Sequence, residues 1–261
     1  ARQVETISAA MTACEKGGQW AKALELFASM SQSVIEPNSA TYVAALSACW
    51  ANGCWTAALG LLASALKQSV QPSVGMLTAA VGACSASDAW SVALSLLVQM
   101  RSHHFCPNVI TCNIVMALCS KGQHWQQAVH LLREMQRYHV QPDVITYNTA
   151  IRACSIGQQW LLSLSLFKEL RQCTLKPTTI TYNTMIDACG SCYQWPFAQA
   201  LLSEAWQQRV QADLITYSVL ISACGRGSQW QRAMIFFHEM QCLDFLPNAI
   251  TCSAAISACE K

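Results

Sequence analysis

Tryptophan recurs every 35 residues in this chain: Trp20, Trp55, Trp90, Trp125, Trp160, Trp195 and Trp230. Cysteine keeps the same step at Cys14, Cys49, Cys84, Cys119, Cys154, Cys189, Cys224 and Cys259. Proline keeps it at Pro37, Pro72, Pro107, Pro142, Pro177 and Pro247, with Ala212 in the one gap. No insertion or deletion breaks the register. A fixed period of this size means an array of one supersecondary unit, in which each copy buries its apolar face against its neighbours. With a frame starting at Val4, the repeats run 4–38, 39–73, 74–108, 109–143, 144–178, 179–213 and 214–248. A partial eighth occupies 249–261.

Within a unit the apolar spacing is helical. In "ITYNTAIRACS" (145–155), Tyr147, Ile151 and Cys154 fall three or four apart and form one stripe of a first helix. A short turn follows, often with glycine, as at Gly17, Gly122, Gly157 and Gly227. A second helix then carries residues such as Ala23, Leu24, Phe27 and Met30. The closing proline lacks an amide donor and disfavours helix before it. The expected fold is all-α, a single α-solenoid of stacked helix–turn–helix hairpins over 1–261.

A cysteine at one place of every hairpin reads as a core residue, small and soft enough to fit between units. Helices pack about 8–10 Å apart. That separation exceeds both the ~2.3 Å zinc–sulfur bond and the ~7 Å Cα limit of a disulfide. Cys189-Gly-Ser-Cys192 is a CxxC with no second pair at zinc spacing, and it reads as packing. His103, His104 and Cys106 cluster in a connector and read as a solvated loop. No metal, cofactor or catalytic set is expected: the sequence holds no HExxH, phosphate-binding GxxxxGK[ST] or deaminase zinc motif. No apolar stretch approaches the ~18 residues of a membrane helix, so no membrane insertion is expected. The chain enters its pattern almost at once from Ala1, and no targeting leader is visible, as in a processed chain or a fragment.

The phrase "PDVITYNTAIRACSIGQQWLLSLSLFKEL" (142–170), with "TITYNTMIDACG" (179–190), resembles the pentatricopeptide repeat (PPR). Tetratricopeptide units also pair helices, but their period is 34 and they lack the Thr-Tyr-Asn opening. Uniform units of 35 are similar to the P-type arrays of this family. The resemblance implies a right-handed superhelical α-solenoid. It also implies non-enzymatic binding of single-stranded RNA, mRNA or rRNA, one base per repeat, in a mitochondrion or plastid.

In such a reader, one polar residue of each first helix, paired with another at the end of the same unit, meets a base edge. A branched apolar residue three places before the first wedges against a base face. The polar pairs are Ser8/Asn38, Val43/Ser73, Thr78/Asn108, Asn113/Asp143, Asn148/Thr178, Asn183/Asp213 and Ser218/Asn248. Val43 cannot hydrogen-bond a base. The wedge places hold Ile110, Ile145, Ile180, Ile215 and Ile250, but Glu5, Ala40 and Gly75 in the first three repeats. By the family's pairing pattern, repeats four to seven imply 5′-UCUA-3′. The competing reading is that Ser, Asn, Thr and Asp near helix starts are caps.

Charge qualifies the RNA reading. Only 11% of residues are charged and the formal net charge is +2, far from the basic footprint of a phosphate-held domain. Repeats one to three hold 4 basic and 5 acidic residues, repeats four to seven 10 and 8. Lys16, Lys121 and Arg226 share one turn place suited to phosphate. So weak a field leaves room for another expectation: a scaffold or subunit of a large organellar particle such as a ribosome, contacting rRNA or protein.

Overall fold

A computed structural model describes residues 2–32, 36–87, 89–102 and 105–260, apart from the side chains of residues 2, 3, 15, 31 and 32. His103 and His104 lie outside the described residues. First helices are α1 (Arg2–Lys16), α3 (Ser39–Asn52), α5 (Val74–Ala83), α7 (Val109–Lys121), α9 (Val144–Ile156), α11 (Thr179–Ser191), α13 (Leu214–Arg226) and α15 (Ala249–Cys259). Second helices are α2 (Trp20–Gln32), α4 (Trp55–Lys67), α6 (Trp90–Ser102), α8 (Trp125–Arg137), α10 (Trp160–Gln172), α12 (Trp195–Gln207) and α14 (Trp230–Cys242). A 3₁₀ turn, Cys84–Ala86, finishes α5. The all-helical expectation holds, and each periodic tryptophan opens a second helix.

Two compact units emerge, residues 2–122 with 138–140, and residues 123–137 with 141–260. In the second unit α9, α11, α13 and α15 pack in sequence as one layer. Each of α8, α10, α12 and α14 lies against the first helix of the next hairpin. The first unit repeats this scheme with α1, α3, α5 and α7 in one layer and α2, α4 and α6 in the other.

Close packing of first helices needs small residues along the seam. Ala153, Cys154, Ala188, Cys189, Ala223 and Cys224 are buried there. At Gly190 an added Cβ would lie 2.6 Å from the Cβ of Ala223 and 3.0 Å from its Cα. Only glycine lets α11 and α13 approach so closely.

The turn glycines have a role the sequence did not disclose. Gly157 and Gly227 cap α9 and α13 with φ of −77° and −81°, which any residue can adopt. The left-handed residue is the next one, Gln158 or Ser228. What forbids a side chain is tryptophan from the preceding hairpin. A Cβ at Gly157 would sit 2.3 Å from Trp125 Cδ1, and one at Gly227 would sit 2.6 Å from Trp195 Cδ1. The indole therefore lies over the next turn, and Trp125, Trp160 and Trp195 are only half-buried. Trp160 packs against Phe197, ring centroids 5.3 Å apart. Trp160→Ala is expected to cost about 1–3 kcal/mol in urea unfolding, below the ~3–5 of a fully buried ring.

The repeat cysteines are core residues from Cys49 to Cys224, whereas Cys14 is half-buried and Cys259 exposed. Burial pushes the thiols of Cys49, Cys119, Cys189 and Cys224 up to about 11 and that of Cys154 to about 12. A thiolate is the reactive form. A disulfide reagent at pH 8 should therefore modify exposed Cys106, Cys173, Cys242 and Cys259 quickly, and the buried rank only on unfolding. Rapid labelling of Cys154 in folded protein would contradict this. Among the described residues, no three His, Cys, Asp or Glu side chains converge as a metal site, and no helix is long and apolar enough to cross a membrane.

Candidate nucleic-acid interface

Each first helix from α3 to α15 begins with a residue that caps it. Asn38, Ser73, Asn108, Asp143, Thr178, Asp213 and Asn248 each accept a hydrogen bond from the backbone N–H three residues on. The capping role weighed from sequence is thus real for the terminal member of every pair. It does not occupy all of the side chain: one Asp213 oxygen accepts the Thr216 N–H at 2.8 Å, and the second oxygen stays open.

The other members lie one turn into the first helices, where they cannot cap. Asn113, Asn148 and Asn183 are half-buried. Ser8 and Ser218 turn back on their own helices, Ser8 Oγ donating to Glu5 O at 3.1 Å and Ser218 Oγ to Leu214 O at 2.8 Å. Thr78 is buried and shares a 2.7 Å hydrogen bond with the Thr111 hydroxyl. These three hydroxyls already have protein partners, a restriction the pairing pattern could not show. Asn113 falls in the first unit and Asp143 in the second. Asn183 and Asp213 are joined directly: Asn183 Nδ2 donates to Asp213 Oδ1 at 3.1 Å.

Asp213 is ionised in this setting. Burial works against its charge, but the Thr216 N–H and hydroxyl and the Asn183 amide together hold its carboxyl below the usual range. Glu169, on α10, is also depressed: burial opposes the charge, and hydrogen bonds from Arg133, Gln136 and Tyr147 outweigh it. A folded pKa below the unfolded value stabilises the fold above the ordinary carboxylate value near 4. That contribution disappears as pH falls through the folded values. The thermal midpoint should stay level from pH 7 to about 5 and drop below about 4, with the drop reduced in Glu169→Gln. An equal drop in the variant would remove Glu169 from this account.

Beside the polar places stand five exposed isoleucines. Ile110, Ile145, Ile180, Ile215 and Ile250 are 59–69% exposed, one turn before Asn113, Asn148, Asn183, Ser218 and Ser253. A repeated β-branched side chain left open to water, beside partly open polar groups, can receive a flat apolar face. Glu5, Ala40 and Gly75 occupy the same place in the first three hairpins, also exposed.

Five of the 16 Lys and Arg residues are tied to protein groups as follows. Arg226 donates to Ser191, Asp187 and Ser222, and Lys121 to the Ser85 carbonyl. Arg133 and Arg171 pair with Glu169 and Glu204, while Arg232 stacks over Trp195 at 4.5 Å and bonds Gln199. Lys121 and Arg226, read as phosphate contacts from sequence, here stitch adjacent hairpins.

Sequence models described as PPR repeat match residues 5–33, 145–175 and 180–209, and others described as PPR repeat family match 107–156 and 198–261. The chain belongs to the PPR repeat family. All the matched segments of this PPR protein are repeats. A search of curated proteins returned no match. Among solved structures, the PPR chain is similar to the pentatricopeptide repeat protein PPR10 from maize, at 23% identity and TM-score 0.70. That match covers 94% of this chain and 35% of that one, so the chain spans about a third of the length of maize PPR10. PPR10 in complex with an 18-nt psaJ RNA element matches at 20% identity, TM-score 0.52, over 97% and 45% of the two chains. The PPR domain of Arabidopsis thaliana protein-only RNase P 1, in complex with tRNA, matches at 12% and 0.51, over 84% and 97%. At these identities the likeness establishes the fold.

Sequence reading passed over one group of site residues. Thr41, Thr111, Thr146, Thr181, Thr216 and Thr251 stand at one place of six first helices, with Met76 at that place of α5, buried behind the polar pairs. Their 35-residue recurrence was the available signal, but a buried threonine in a helix reads as packing until its partners are seen.

Proposed function

We propose that this PPR protein binds single-stranded RNA, one base per repeat, without catalysing a reaction, and acts in processing, stability or translation of an organellar transcript. The observation that carries the reading is the row of exposed isoleucines beside half-buried Asn and Asp side chains. Isoleucine supports a base face, and the pair addresses the Watson–Crick edge. RNA-bound PPR structures of the same fold support it. Repeats four to seven would prefer 5′-UCUA-3′, through Asn113/Asp143, Asn148/Thr178, Asn183/Asp213 and Ser218/Asn248. A mitochondrion or plastid is the proposed location, as the family resemblance implies.

The low charge, +2 net with 11% of residues charged, favours a second reading, an RNA- or protein-bound subunit of a larger organellar particle. Selection of the purified chain against a pool of short RNAs separates the two. Enrichment of one motif containing UCUA supports base reading, and an unselected pool supports the scaffold. Binding should depend weakly on salt, because only 16 of the 261 residues are Lys or Arg and five of these are tied to protein groups. A log–log slope as steep as about −6 implies roughly 8 single-strand phosphate contacts and would contradict the proposed groove.

A further inference from the structure

The two asparagines of repeats five and six are held differently, although their sequence settings are alike. Thr216 Oγ1 accepts the Asp213 N–H at 3.0 Å and shares its one proton between Asn183 Oδ1 at 2.6 Å and Asp213 Oδ1 at 2.9 Å. Asn183 Nδ2 in turn donates to Asp213 Oδ1. A flipped Asn183 amide would set its oxygen against a carboxylate oxygen and lose the Thr216 proton that this oxygen now receives. The repulsion and the lost donor together select one orientation. In the preceding hairpin the Thr181 hydroxyl lies 3.1 Å from the Thr178 hydroxyl instead. Asn148 Oδ1 is there buried and without a hydrogen-bond partner. Thr78, bonded to Thr111 one hairpin on, shows the same reach from a buried threonine to the polar place before it.

We propose that Thr216 is a specificity-determining positioning residue, which locks the Asn183 amide so that repeat six presents one fixed donor beside one fixed acceptor. This inference rests on the base-reading function above. The locked amide offers its outward N–H, and ionised Asp213 offers its second oxygen. A donor next to an acceptor matches a base edge with C=O next to N–H, as in uracil. It opposes the cytosine edge, where an amino group adjoins a bare ring nitrogen. Asn148 has no such lock, so its amide can rotate to present either its carbonyl oxygen to a cytosine amino group or its NH2 to a uracil carbonyl. Selectivity for one pyrimidine is therefore sharp in repeat six and blunt in repeat five.

The test measures binding of the full chain to short RNAs carrying UCUA, with U or C at the second and third bases. In the wild type the third base should discriminate U from C at least tenfold, and the second base less than threefold. Thr216→Val should reduce third-base discrimination about tenfold, leave the second base unchanged, and be rescued by Thr216→Ser, which keeps the hydroxyl. Thr178→Asp should sharpen the second base towards U, and Thr181→Val should cancel that gain. A readout without RNA accompanies these: the Asn183 side-chain amide protons should exchange with solvent more slowly than those of Asn148, and this difference should vanish in Thr216→Val. Unchanged third-base selectivity and unchanged amide exchange in folded Thr216→Val would overturn the lock while leaving base reading intact. No selectivity at any base, with slow Asn183 exchange, would overturn base reading and leave Thr216 a structural group only.

Discussion

Gly190→Val should destabilise the second unit more than any surface change to the array. The new Cβ meets Ala223 Cβ at 2.6 Å and Ala223 Cα at 3.0 Å. The Cα is main chain, and the alanine methyl has no rotamer to turn away, so α11 and α13 must separate. Overpacking by one methyl typically costs about 1–3 kcal/mol, and valine adds two further carbons at the same seam. Each hairpin also rests on its neighbours, so a parted seam weakens the contact on which α13 and α15 depend. The urea midpoint should fall by the equivalent of about 3 kcal/mol or more, with C-terminal amides losing protection first. Gly60→Ala is the contrast: nothing lies within 4 Å of an added Cβ there, mid-helix in α4. Relief of glycine's backbone entropy should raise stability by about 0.5–1 kcal/mol. If both substitutions shifted the midpoint alike, the seam would not be what requires glycine at 190.

Changing Asn183 to Ser together with Asp213 to Asn should move the preferred third base of the core from U towards A. The variant copies the Ser218/Asn248 pair of the next repeat. Asparagine caps helices as well as aspartate does, and Asn248 already caps α15 with the same bond, so α13 should start normally. Removing the carboxylate replaces a fixed acceptor by an amide that can also donate. Uracil's N3–H then loses its charged partner, and a base edge carrying an acceptor ring nitrogen becomes acceptable. A mismatched edge leaves a desolvated polar group unpaired at about 1–3 kcal/mol, a roughly tenfold or greater change in relative affinity. Affinity for RNAs altered at the first base should stay as it was. Equal binding of all four bases at the third position, before and after the change, would mean that Asp213 serves as a cap alone and Asn183 only as its hydrogen-bond partner.

The positions of the tryptophans, cysteines and prolines determined the hairpins by themselves. A 35-residue period with helical spacing inside it leaves no other way to bury the stripe of Tyr147, Ile151 and Cys154, and Trp160 opens α10 as the register requires. The capping residues were legible too, because Asn, Asp and Thr before a helix start act locally. Local chemistry could not reveal what one hairpin does to the next. Gly157 looked like a turn residue, and only the stacked indole of Trp125 shows that it is a seat for a ring. The periodic cysteines looked alike, yet Cys14 is half-buried and Cys259 exposed where Cys154 is buried. Asn148 and Asn183 have the same flanking Thr-Tyr-Asn-Thr, but only Asn183 receives the hydroxyl of a threonine 33 residues away. Burial, close approach and amide orientation are set by atoms distant along the chain, and they exist only once the hairpins have packed.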